Sequence, residues 1–248
     1  MGFELLDYQL ASCLFLGAVL FTAVGHGGAS AYIALMALFG IESAVFRPTA
    51  LILNILVTSF SSVRYFRAKL FDWDILWPVL LGAVPMAFLG GSVHLPGNFY
   101  KPLVAFVLLV SAMRLFWPDV IKTLPEIKQM PVWLAIACGA GIGLLAGLTG
   151  TGGGIFLSPL LIFTGWSDIR KASGITSVFI LCNSLAGLAG NYASLGAVQH
   201  QTWLYAVAVL CGAIIGTYLG ISAFAKTAIL RALGAVLLIA SAKLVGLY

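Results

Sequence analysis

Apolar runs separated by short polar breaks fill the chain and predict ten segments, near 9–24, 29–40, 46–66, 74–94, 99–117, 131–148, 153–165, 171–193, 201–222 and 226–246. Within each run apolar residues follow one another without the strict alternation of a barrel strand. The runs therefore predict helices, which satisfy their own backbone groups inside a bilayer. A full crossing takes about 20 residues. The second and seventh runs are too short for that, and each follows a glycine cluster: GHGGASAY at 25–32 and GLTGTGGGIF at 147–156.

Composition fixes the solvent. Of 248 residues 61% are hydrophobic and 8% charged, with a mean hydropathy of +1.08. A soluble domain carries about a quarter charged residues, so this chain uses lipid as its surroundings and is expected to be an all-α integral membrane protein. The most polar stretch, Trp117 to Pro131, reads as a linker rather than a second domain. The expected organisation is one membrane domain: a first repeat over 1–117, a cytoplasmic linker over 118–130 and a second repeat over 131–248. No basic cluster or small-residue cleavage pattern marks a removable signal peptide. Cys13, Cys138, Cys182 and Cys211 lie inside apolar runs without metal spacing and read as packing residues. No cofactor is expected.

The net charge of +5 changes the picture through its distribution. Alternating the loops between two sides gives one side Arg64, Arg67, Lys69, Arg114, Lys122, Lys128, Arg170, Lys171, Lys226 and Arg231, and the other only Arg47, Lys101 and Lys243. Ten against three is an orientation signal. It makes the first side cytoplasmic, places both termini outside, and accounts for the basic residues without nucleic acid. A re-entrant hairpin in place of the first two crossings leaves every later loop on the same side.

At an offset of 125 the two halves share Cys13/Cys138, Leu20/Leu145, Gly25/Gly150, Gly27/Gly152, Gly28/Gly153, Leu35/Leu160 and Gly40/Gly165, with the same order of segment lengths. Five segments per copy is odd, so the second copy enters the membrane inverted. Paired short, glycine-interrupted segments in inverted repeats point to a transporter's midplane site.

Breaking a helix inside the membrane frees N–H groups that must be buried in protein or face water. Facing inward, they and the positive helix end form an anion site. Two half-helix starts, at Ala29 and Ile155, would aim at one anion. The candidate binding residues are His26, Gly27, Gly28 and Ala29 in the first break and Thr151, Gly152, Gly153 and Gly154 in the second. Asn54, Thr176, Ser177 and Asn183 join them from the long helices that follow, with Thr58 and Ser59 nearby. The alternative for these hydroxyls and amides is a bond to their own or a neighbouring helix. Gly139, Gly143, Gly147 and Gly212, Gly216, Gly220 repeat every four residues and are assigned to helix packing. All eight carboxylates fall in loops or at helix ends, which disfavours a cation path. No Lys or Arg sits centrally in any run, so the site is expected to lack a full countercharge.

The two glycine motifs, GHGGASAY and GTGGGIFLSPL, each precede a polar-punctuated helix (RPTALILNILVTS; KASGITSVFILCNS). Together they resemble the two signature halves of the TauE/SafE sulfite-exporter family over nearly the whole chain. Ala29 and Ala34 stand where that pattern usually has a third glycine and a proline. The resemblance implies a multi-pass protein of a bacterial or archaeal plasma (inner) membrane, in contact with lipid and exporting sulfite, sulfoacetate or related organosulfur anions; homodimerisation is left open. The residues themselves support a small-anion transporter. An anion channel of the same architecture is the alternative, and a membrane enzyme a weaker one.

Overall fold

The computed structural model describes residues 4–23, 25–116, 130–221 and, near the C-terminus, 235, 237–239, 241–244 and 246. Over these residues the chain folds as α1 (Leu5–Thr22), α2 (Ala29–Leu38), α3 (Ser43–Arg67), α4 (Trp73–Ser92), α5 (Gly97–Phe116), α6 (Val132–Thr149), α7 (Gly154–Phe163), α8 (Ile169–Gly190), a 3-10 turn (Tyr192–Ala197) and α9 (Thr202–Ile221). Each helix lies on an expected apolar run, and no strand occurs among the described residues. The linker up to residue 129 and most of the tenth run lie outside the described residues.

Six helices (α1, α3, α4, α6, α8, α9) are long and apolar enough to cross a membrane. The other pattern is α2 and α7, ten residues each. That is about 15 Å, half of a hydrocarbon core of about 30 Å. Outward-facing Leu16, Leu81, Phe106, Val207 and Ile214 are exposed along the helices, and Trp73, Trp133 and Trp203 are exposed at helix starts, where interfacial tryptophans anchor.

The described carboxylates sit where helix dipoles favour negative charge. Glu4, Glu42, Asp72 and Asp168 occupy N-caps, and Asp7 and Asp74 first turns. Asp168 accepts from the N–H groups of Arg170 and Lys171, both at 2.9 Å. Asp119 and Glu126 lie outside the described residues.

The duplication is visible in the backbone. α2 and α7 begin and end at positions 125 apart. Left-handed glycines recur in register: Gly25 and Gly150 (φ 79° and 81°), Gly28 and Gly153 (100° and 78°), Gly40 and Gly165 (76° and 72°). The helix ends repeat as well: Gly40 N–H donates to Ala37 and Ile41 N–H to Met36, as Gly165 does to Ile162 and Trp166 to Leu161. Neighbours are exchanged between the halves: α1 packs on α9 as α6 packs on α4, α3 on α9 as α8 on α4, and α3 and α8 pack on each other. This exchange is the pattern that a twofold relation between the halves would give.

The four-residue glycine stripes bring helices into backbone contact. Side chains at Gly139, Gly143 and Gly147 would collide with the carbonyls of Val79, Ala83 and Ala87; at Gly212, Gly216 and Gly220 they would meet those of Phe15, Val19 and Ala23. Loops expected on one side do meet. Lys171 pairs with Asp72 at 3.4 Å on one face. On the other, Tyr205 Oη donates to Asp7 (3.0 Å) and Lys243 Nζ to the Leu38 carbonyl (2.8 Å).

Candidate functional site

The two glycine breaks run to the same residue from opposite ends of α3. After α1, the Thr22 carbonyl accepts from Tyr65 Oη near the C-terminal end of α3 (3.2 Å). Gly25 then lies against Ser173 of α8, and Ser177 Oγ donates to the Gly25 carbonyl at 3.0 Å. By Gly27 the chain has reached Asn54, midway along α3. In the second half Gly150 lies against Arg47 near the N-terminal end of α3, and Gly152 reaches Asn54 as well. α2 starts at Ala29 behind Gly28; α7 starts at Gly154 behind Gly153, one residue before the expected Ile155. Both caps are left-handed glycines without a side-chain acceptor. Phe156 N–H already bonds the Gly153 carbonyl (3.1 Å), but no side chain caps either helix, and the positive ends of α2 and α7 are left to favour another acceptor.

Asn54 is fully buried. Its Nδ2 donates to Ser184 Oγ at 3.0 Å and abuts Gly152; its Oδ1 abuts Gly27 and has no partner. A Cβ at either glycine would run into the amide. Thr176, buried on α8, has an unpartnered Oγ1, and its methyl lies 3.0 Å from where a Gly154 Cβ would be. Asn183 is buried with both amide atoms unpartnered. An unsatisfied buried polar group costs about 1–3 kcal/mol, so amides and a hydroxyl left this way on two packed helices call for a reason outside the fold.

The remaining expected residues are committed elsewhere. Ser177 holds the Gly25 carbonyl, and Thr151 pairs with Thr149 through their hydroxyls (2.9 Å). Thr58 donates back to the Asn54 carbonyl (2.6 Å), and Ser59 is exposed. His26 is half-buried, its N–H donating to the Phe21 carbonyl (2.9 Å) and its ring edge-on to Phe21 at 6.3 Å. A side chain at Gly28 would strike Tyr32, whose hydroxyl donates to the Gly27 carbonyl (2.8 Å). One at Gly153 would meet Ile142, Ala146 and Phe179, so Gly153 turns towards apolar packing. The structure gathers Gly27, Gly152, Gly154, Asn54 and Thr176, and sets His26 and Thr151 in the flanking turns.

Two residues were missed. Ser184 is seven residues beyond Ser177, on the helical face that carries Ile180 to Gly152, a spacing legible in the sequence. Arg47 stands among the loop charges in the sequence reading. It lies inside α3, 6% exposed, with Nη1 donating to Val93 (2.9 Å) and Nη2 to the carbonyls of Gly90 and Gly91. A buried guanidinium thus flanks the second break at Gly150, near the N-terminal end of α3 and apart from the residues gathered at Asn54.

The family model described as Sulfite exporter TauE/SafE matches residues 10–244. The chain is similar to the probable membrane transporter protein y4hK of Sinorhizobium fredii, 36% identical over 237 residues covering 94% of this chain and 95% of that protein. It also resembles two probable membrane transporter proteins of Bacillus subtilis: YjnA, 28% identical with 84% and 85% of the chains covered, and YunE, 25% identical with 69% and 68% covered. No solved structure matches the chain.

Proposed function

The chain belongs to the TauE/SafE sulfite-exporter family of membrane transporters, and we propose that it exports a small sulfur-bearing oxyanion such as sulfite or an organosulfonate. The anion is held between the starts of α2 and α7, beside Asn54, and leaves chemically unchanged. One observation carries this reading: two glycine-capped half-helices, whose positive ends favour negative charge, converge on one buried residue, Asn54, from opposite ends of α3. Each helix end offers about half a positive charge, so together they offset about one negative charge. Glycines at the contact let the anion approach the backbone, and neutral donors hold it weakly enough to release. The ten-to-three basic asymmetry supports placing the Lys171–Asp72 face in the cytoplasm and both termini outside.

Proteoliposomes loaded with labelled sulfite, sulfoacetate, sulfate or a cation, with and without a pH gradient, test it. Saturable efflux confined to the oxyanions is expected. Unsaturable current would favour the channel alternative, and no anion flux would remove the proposal.

A further inference from the structure

On the face opposite the Lys171–Asp72 pair, a cavity of about 320 Å³ opens between the first turns of α3, the 93–97 loop and the 3-10 turn after α8. Its walls include Arg47, Tyr100, Asn191 and Ser194. We propose that it is a second oxyanion site, an outer station separate from the one at Asn54; its place along a transport path rests on the reading above.

Arg47 and Asn191 are 6% and 1% exposed, so each is more than nine-tenths buried. The three acceptors of the Arg47 Nη groups are carbonyls at the end of α4. A helix end carries about half a negative charge, which leaves the guanidinium with net positive charge, and its Nε has no partner. Capping α4 accounts for the Nη groups but not for Nε, and not for the amide across the cavity. There Ser194 Oγ donates to Asn191 Oδ1 at 2.8 Å, which turns Nδ2, also without a partner, into the available donor. Two residues that each keep a spare buried donor, one of them cationic, line one cavity, a chemistry that suits a tetrahedral oxyanion. The volume lies at the lower end of about 300–1,000 Å³ for small-molecule sites, enough for a short organosulfonate.

The inner wall touches the second break. A Gly150 Cβ would lie 3.0 Å from Arg47 Cγ, and Tyr100 Oη donates to the Thr149 carbonyl at 3.1 Å. The matching stretch of the second half differs: Lys171, at the start of α8, is 45% exposed and paired with Asp72. The buried, carbonyl-held cation thus belongs to one face of the molecule.

The test uses the full chain without its four cysteines, carrying Ala193→Cys on the exposed wall of the cavity, and an impermeant thiol reagent. Sulfate is expected to slow labelling severalfold, and chloride not to. Arg47→Gln should raise the sulfate needed by about tenfold or more, as expected for a lost bond to a charged group. Should that variant fail to fold, Asn191→Ala, which leaves the α4 carbonyls capped, should shift protection about as far with an unchanged melting temperature. Asn54→Leu should keep the protection. Labelling indifferent to sulfate in the parent overturns the outer station. So does protection that disappears in Asn54→Leu, since the anion would then act from the centre. Protection that survives in a parent without flux would support the station and count against the transport reading alone.

Discussion

At the scale of single residues, Asn54 is the point where both halves meet, and its amide is only half satisfied. A lone buried carbonyl oxygen is a cost to folding of about 1–3 kcal/mol. An apolar side chain of similar size removes that cost together with the bond to Ser184, two effects of similar size and opposite sign. We expect Asn54→Leu to melt near the wild-type temperature and to lose anion flux; a large fall in melting temperature with flux retained would make the residue structural. Thr151→Val should change flux little, because its hydroxyl is already held by Thr149. The glycines of the breaks were legible because residues at φ between 74° and 100° are rarely anything else. The hydroxyls were not, because whether Ser177 serves a ligand or the Gly25 carbonyl depends on a contact across 152 residues. Arg47 was misplaced for a similar reason: its carbonyl partners belong to another helix.

At the scale of elements, the four-residue glycine spacing was readable because it maps directly onto one helix face. Its partner was not, since the spacing says nothing about which helix offers its carbonyls. α6 provides an internal control. A side chain at Gly143 collides with the Ala83 carbonyl, whereas one at Gly141 meets nothing within 4 Å. Gly143→Leu should sharply lower the yield of folded protein. Gly141→Leu should leave it unchanged or raise stability by about 0.5–1 kcal/mol through better helix propensity. Equal losses in thermal-shift and size-exclusion measurements would break the distinction. At the end of α2, Gly40→Ala also meets no atom within 4 Å. Its cost should be the left-handed backbone alone, about 1–2 kcal/mol by chemical denaturation.

At the scale of the whole molecule, the grouping of loops on two faces was legible from segment count, whereas the pairing of α1 with α9 and α6 with α4 needed three dimensions. The charge bias then assigns the faces. Ala68→Cys should react with an impermeant reagent from the cytoplasmic side, and Ala193→Cys from outside; the reverse result in right-side-out vesicles would invert the orientation. Each glycine break also rests on the other half: Gly25 on Ser173 and Ser177 of α8, Gly150 on Arg47 of α3. During synthesis the first half leaves the ribosome before the helix that holds its break has been made. Its five-helix stretch is inserted early but completed late. Each half alone lacks the surface that fixes its own break, so halves made as separate chains should be idle singly and regain flux when produced together.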